Sequence, residues 1–180
     1  MTTFNATRFE FDAEVVRIEG EIEDLQTDLE GLPDNSPKAP RLAQRIQDLQ
    51  AQRKGVIWAR GRAFESDDFP AWDEDVDDVT LGAITAGVYG RVQNDLGRDP
   101  DAGEGTANTL IVAEATVDAP YAGDDVSDEA TIAAVAQLHP YFIQWAKDRV
   151  DDLLDPESGN GTSSGTSPGE RDSGATSTDE

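Results

Sequence analysis

Residues 12–32, DAEVVRIEGEIEDLQTDLEGL, decide the fold together with residues 41–55, RLAQRIQDLQAQRKG. Apolar residues recur at steps of three and four in the first stretch, at Val15, Ile18, Ile22, Leu25, Leu29 and Leu32. This is the heptad spacing of an amphipathic helix. Three prolines in residues 33–40 stop that helix. A second apolar seam then follows, at Leu42, Ile46 and Leu49.

The two seams predict an antiparallel helical hairpin, and the distribution of charge supports the pairing. Residues 12–30 carry eight acids and one base, whereas residues 41–54 carry four bases and one acid. Opposite charges on the facing flanks of two helices favour that partner and that orientation. Gly55 follows two cationic residues, which is typical of a helix C-terminus, so the second helix is predicted to end there.

The segments around the hairpin give weaker signals. Residues 1–11 form either a brief strand or a lead-in, and Val56-Ile57-Trp58-Ala59 suits a strand as well as a helix. For residues 56–63 an exposed strand fits slightly better, because two arginines flank Gly61. Apolar spacing and start signals predict further helices from Asp78 or Thr80 to Leu96, over residues 106–117, after Ser127, and from Pro140 to just before Pro156.

The predicted fold class is therefore mainly α. The hairpin occupies an N-terminal unit of residues 1–55, and a small all-helical domain occupies residues 56–155. Residues 156–180 are rich in Gly, Ser and Thr and contain a single aliphatic side chain, Ala175. Such a segment buries too little apolar surface to offset its ordering entropy, so we expect a disordered acidic tail.

The chain is strongly acidic, with 38 acids against 14 bases in 180 residues and a net charge of −24. A clustered basic surface is what phosphate backbones require, so nucleic acid is not an expected partner. This much like charge opposes compaction at ordinary ionic strength, whereas in molar salt the Debye length falls to about 3 Å and the repulsion is screened. We therefore expect a host that keeps high salt in its cytoplasm.

The inventory of reactive side chains is short. Cysteine is absent and histidine occurs once, at His139, which removes thiol nucleophiles and metal sites built from several histidines. A lone histidine before Pro140 is expected to cap a helix or to pack against other side chains. If the chain were instead an enzyme, His139 as a general base would be the feature that best supports that alternative. We predict no catalytic activity, no cofactor and no metal site. The sequence contains no run of about 20 apolar residues, so it does not predict a membrane span.

Aromatic residues are the best candidates for contact with another protein. Trp and Tyr are enriched at binding hot spots, although most aromatic side chains in a chain of this size belong to the core. The predicted partner-binding residues are Trp58, Trp72, Tyr141 and Trp145.

Three further segments complete a recognisable order. The hairpin leads to VIWARGRA at residues 56–63, then to an acidic and aromatic stretch from Glu65 to Trp72. A small-residue helix follows and closes on Val-x-x-Pro, as LIVAEATVDAP at residues 110–120. Over residues 12–155 this order resembles the tail assembly chaperones of long-tailed viruses of bacteria and archaea, in the version with an N-terminal helical hairpin. A longer terminal helical pair and the His139-Pro140 junction depart from that pattern.

The resemblance implies a function. Proteins of this family bind the long helical tape-measure protein and keep it soluble until tail-tube subunits polymerise around it. We would then expect the chain in the cytoplasm of a high-salt host, absent from the mature virion, with the tape-measure protein as partner and with self-association as a further option. The alternative is a coiled-coil structural or adaptor protein of the virion or of the halophilic host.

Overall fold

The structure is a computed structural model that describes residues 3–33, 35–61, 77–122 and 127–154. Helices take up 67% of it, and a small three-stranded sheet accompanies them. In chain order the elements are β1 (Thr3–Glu10), α1 (Phe11–Glu30), α2 (Ala39–Ala59), β2 (Asp78–Ile84), α3 (Ala86–Arg98), α4 (Glu104–Ala115), β3 (Thr116–Asp118), α5 (Asp128–Val135) and α6 (Pro140–Leu154). The mainly helical prediction is confirmed. The all-helical domain is wrong, and the predicted tail lies outside the described residues.

Helices α1 and α2 pack side by side in opposite directions. Arg45 of α2 pairs with Glu21 of α1 at 2.9 Å, and Arg53 pairs with Glu19 at 2.6 Å, so positions along α2 rise as those along α1 fall. Five residues of the two seams are buried: Val15, Ile18, Ile22, Ile46 and Leu49. The predicted antiparallel pairing of two helices is therefore present, and its buried residues follow the heptad spacing.

Helix α2 does not end at Gly55, and that prediction is wrong. The helix continues to Ala59, so the segment Val56–Ala59, for which both strand and helix were open, is helical and buried. A Cβ atom at Gly55 would lie 2.5 Å from the carbonyl oxygen of Tyr141. Gly55 therefore serves close contact between α2 and α6 instead of ending the helix. The division into units at residue 55 stays a prediction, with α2 passing through it.

The sheet lies in the region that was predicted to be purely helical. Strand β2 is central, with β1 and β3 antiparallel on either side. Val79, Leu81 and Ala83 of β2 alternate along the strand and are fully buried. The helix predicted from Asp78 or Thr80 is therefore wrong over its first turns, since both residues lie in the strand. It begins only at Ala86, where the hydroxyl of Thr85 accepts a hydrogen bond from the Val88 N–H at 3.4 Å.

The other boundaries predicted from the sequence lie closer to those of the structure. The segment before α1 is the strand β1, with a bulge between Phe4 and Thr7. Helix α4 ends at Ala115, two residues earlier than predicted, because the chain turns into β3. Ser127 caps α5 by accepting from the Ala130 N–H, as predicted. Pro140 begins α6, which packs against α2, β2 and α4 and so lies at the centre of the molecule.

Candidate partner-binding surface

The structure separates the four aromatic residues that the sequence proposed for partner contact. Trp58 and Trp145 are 1% and 0% exposed, so both belong to the core and neither reaches the surface. Trp72 lies outside the described residues. Tyr141 is 41% exposed at the start of α6. Of the predicted set, Tyr141 is therefore the residue that the described surface offers to another molecule.

The burial of Trp145 has a polar counterpart. Its indole N–H donates to a carboxylate oxygen of Glu14 at 2.9 Å, and Glu14 is itself only 8% exposed. The Arg17 guanidinium donates to the same carboxylate at 3.1 Å, and Arg149 approaches it at 3.9 Å. A buried carboxylate is tolerated only when charges and hydrogen bonds compensate it. This arrangement fixes α6 against α1.

A second polar contact fixes α6 against α2. Gln52 is fully buried, and its amide donates to Asp148 at 2.5 Å. Arg45 lies 3.8 Å from the same carboxylate. Burial raises the pKa of Asp148 above its ordinary value, against the opposing effects of the Gln52 hydrogen bond and the Arg45 charge. The face of α6 that meets the hairpin is therefore occupied by structural contacts.

His139 caps α6, which is one of the two roles expected for it. Its Nδ1 atom accepts a hydrogen bond from the Tyr141 N–H at 3.1 Å. Its ring centroid lies 5.7 Å from that of Trp58 and 5.2 Å from that of Tyr141. Burial lowers the pKa of His139, which favours the neutral imidazole that this cap needs. The Nδ1 atom that a general base would use is thus engaged in holding the helix.

An open cleft lies beside this capped corner. It has a volume of about 540 Å³ and runs between the first turns of α4 and the junction of α5 with α6. The apolar residues that line it are Ala136, Leu138, Pro140 and Ile143. The polar residues that line it are Glu104, Asn108, Thr109 and Gln144. Tyr141 follows Pro140 directly in α6 and is exposed, although it does not itself line the cleft.

The lining suits contact with another protein. The apolar part offers a place for an aliphatic or aromatic side chain, and the amides of Asn108 and Gln144 can donate to or accept from a partner's polar groups. Glu104 adds a negative charge at the edge, which favours a basic residue on the partner. The sequence did not indicate Asn108 or Gln144, because isolated amides on helices carry no pattern that distinguishes them from ordinary surface residues.

Comparison with protein-family models, curated proteins and solved structures finds no match for this chain. Within the described ranges, no helix has the combination of length and apolar character that crossing a bilayer demands. In that same part of the chain, no three acidic or histidine side chains come together in a way that could hold a metal ion.

Proposed function

We propose that this protein is a tail assembly chaperone, which binds a tape-measure protein and keeps it soluble while a viral tail is assembled. The observation that carries the proposal is the cleft between α4 and the α5–α6 corner, together with the exposed Tyr141 at the start of α6. The segment order over residues 12–155, which resembles that family, supplies the identity of the partner.

A helical partner fits the chemistry of this surface. A long amphipathic helix presents apolar side chains at steps of three and four residues, and one such side chain can enter the cleft while a neighbour packs on Tyr141. The amides of the rim then satisfy polar groups beside the anchor. The acidic exterior of the chain, with a net charge of −24, keeps a complex with an apolar partner apart from other complexes.

The proposed setting is the cytoplasm of a salt-loving host, such as a haloarchaeon, with the protein absent from the mature virion. The charge of the chain supports the high-salt setting, since screening relieves repulsion among its acids. We expect the melting midpoint to rise steadily from dilute buffer to molar KCl. A midpoint that stays constant or falls across that series would contradict the high-salt setting while leaving the chaperone proposal in place.

Co-expression tests the function. The tape-measure candidate, encoded just downstream in viruses of this kind, is produced with and without this protein, and its soluble fraction is measured. We expect soluble tape-measure protein only in the presence of the chaperone, and a marked loss with Tyr141→Ser. The matched control is Tyr89→Ser, since Tyr89 is 48% exposed and lies on α3, a helix from which no residue lines the cleft. Equal solubility with and without the chain would refute the proposal.

The coiled-coil structural or adaptor protein is the second candidate, and the open side of the α1–α2 hairpin favours it. Such a protein would remain in the assembled particle, whereas a chaperone leaves. Quantitative mass spectrometry of purified particles distinguishes the two, because a structural protein is present in a fixed ratio to the tail subunits.

A further inference from the structure

One side of the α1–α2 hairpin carries an open groove that no element of the described chain covers. It has a volume of about 630 Å³ and is bordered by both helices. Glu19, Ile22, Glu23 and Gln26 line it from α1, and Gln50, Arg53 and Lys54 line it from α2. It is separate from the cleft between α4 and the α5–α6 corner, with which it shares no lining residue.

The groove faces away from the core. Residues of a helix advance by 3.6 per turn, so Gln50 and Lys54 lie on the side of α2 roughly opposite Gln52. Gln52 is the residue that reaches α6, through its contact with Asp148. On α1, Glu14 contacts Trp145 and Arg149 of α6, whereas Glu23 lies on the groove side. The hairpin thus has one flank sealed by α6 and one flank open.

The two borders of the groove carry opposite charges, and only some of these charges form ion pairs within the described segments. Glu19 and Arg53 pair with each other across it. Glu23 and Lys54 are exposed and form no ion pair with any residue of the described segments. An acidic border on α1 and a basic border on α2 therefore lie side by side, with Ile22 between them.

We infer that this groove is the contact surface between two copies of the chain, which pair as an antiparallel four-helix bundle. A two-fold axis parallel to the hairpin places α1 of one copy over α2 of the other, so each acidic border meets a basic border. Because Glu23 and Lys54 line the same groove, this arrangement brings Glu23 of each copy toward Lys54 of the other.

Charge complementarity selects a second copy as the occupant. A two-fold interface is isologous, so a surface must complement itself, and this groove does because its two halves are opposite in sign. The rest of the chain repels its own copies, with 38 acids against 14 bases overall. The groove is bordered by two acids and two bases, which makes it a neutral surface on a strongly acidic molecule.

A charge-exchange experiment tests this pairing without disturbing the monomer, because both side chains are exposed. The two variants are Glu23→Lys and Lys54→Glu. Alone, each variant places like charges opposite each other at both ends of the interface. Mixed, the two variants form a heterodimer in which lysine meets glutamate at both ends. The control is Asp24→Lys, which makes the same change of charge on α1 outside the groove lining.

Mass is measured by light scattering at the lowest KCl concentration at which circular dichroism shows the folded chain. We expect twice the chain mass of 19.4 kDa for the natural sequence and for Asp24→Lys. Each groove variant alone should dimerise about tenfold more weakly, and the mixture should regain the dimer. A natural chain that is monomeric at every concentration would overturn the inference, and so would groove variants that dimerise as well as the control. A monomer whose Lys54→Glu form no longer keeps the tape-measure protein soluble would assign the groove to that partner instead.

Discussion

The two flanks of the α1–α2 hairpin differ sharply, although one heptad pattern encodes both helices. On the inner flank Gln52 and Gly55 are fully enclosed, and the backbone of α6 approaches α2 so closely that a methyl group does not fit at Gly55. On the outer flank Gly20 has no atom within 4 Å of where a Cβ would lie, and Glu23 and Lys54 are exposed. The inner flank is packed against a fixed neighbour, α6, and the outer flank is open to contact with another molecule.

A heptad seam specifies a pair of helices without specifying what covers them. Each helix has a seam toward its partner and two flanks beside it. On the inner flank the neighbour is recognised by small size and by buried polar groups, here Gly55, Gln52 and Glu14. On the outer flank opposite charges border Ile22, and complementary charge of this kind favours contacts between separate molecules.

Exchanging glycine for alanine on each flank gives the largest expected contrast. We expect Gly55→Ala to lower the free energy of unfolding by about 3 kcal/mol, because the added methyl group overlaps the backbone of Tyr141 and Phe142. Gly20→Ala should instead raise it by about 0.5–1 kcal/mol, since alanine favours a helix and the space is empty. Urea unfolding followed by circular dichroism measures both. A Gly55→Ala variant as stable as the natural chain would show that α6 does not pack as described.

Removing one carboxylate from each flank gives the next contrast. Glu14→Ala leaves the Trp145 indole N–H and the Arg17 guanidinium without this acceptor and removes the charge that faces Arg149, so we expect a loss of about 2 kcal/mol. Glu23→Ala on the outer flank should change stability by less than about 0.5 kcal/mol in the monomer. The same urea titration compares them. Equal losses from the two variants would remove the distinction between the flanks.

The cap of α6 gives a smaller, pH-dependent effect. Burial lowers the pKa of His139 below its ordinary value of 6.5, so its contribution to stability is present above pH 6.5 and is lost as the pH falls through the lowered pKa. Protonation at Nδ1 would also remove the acceptor for the Tyr141 N–H, a cap of about 1 kcal/mol. Asparagine can accept the same hydrogen bond and does not titrate.

We therefore expect the melting midpoint of the natural chain to fall more steeply between about pH 7 and pH 5 than that of His139→Asn. Asp148 has its pKa raised and acts in the opposite direction, but it is present in both chains and cancels in the comparison. His139 is the single histidine of the sequence, which makes the assignment direct. Parallel pH profiles for the two chains would exclude the cap as a titrating element.

Sequence patterns predicted the helices that local signals define. The heptad steps gave α1 and most of α2, and the residues Ser127 and Pro140 marked the starts of α5 and α6 correctly. Strand β2 was missed because Leu81, Ile84 and Val88 follow a helical spacing by coincidence. The alternation of Val79, Leu81 and Ala83 was the competing signal. The sheet context that decided between them is a long-range pairing with β1, which a local pattern does not contain.

The candidate surface was predictable only in part. Tyr141 and Trp145 are one turn apart on α6, yet one is exposed and the other lies in the core. Trp145 packs against the rings of Phe9 and Phe11 and donates to Glu14, all of which lie at least 131 positions earlier in the chain. Gly55 was read as a helix end for a similar reason, since its function is set by a helix far along the chain.

Hydrogen–deuterium exchange with and without the tape-measure protein tests whether the cleft between α4 and the α5–α6 corner is the binding surface. We expect binding to slow amide exchange in the first turns of α4 and around the α5–α6 corner, over residues 104–109 and 136–144, which include the residues that line the cleft. The inner flank of α2 should already exchange slowly in the free chain and should not change. Binding that protects other segments and leaves residues 104–109 and 136–144 unaltered would contradict the account.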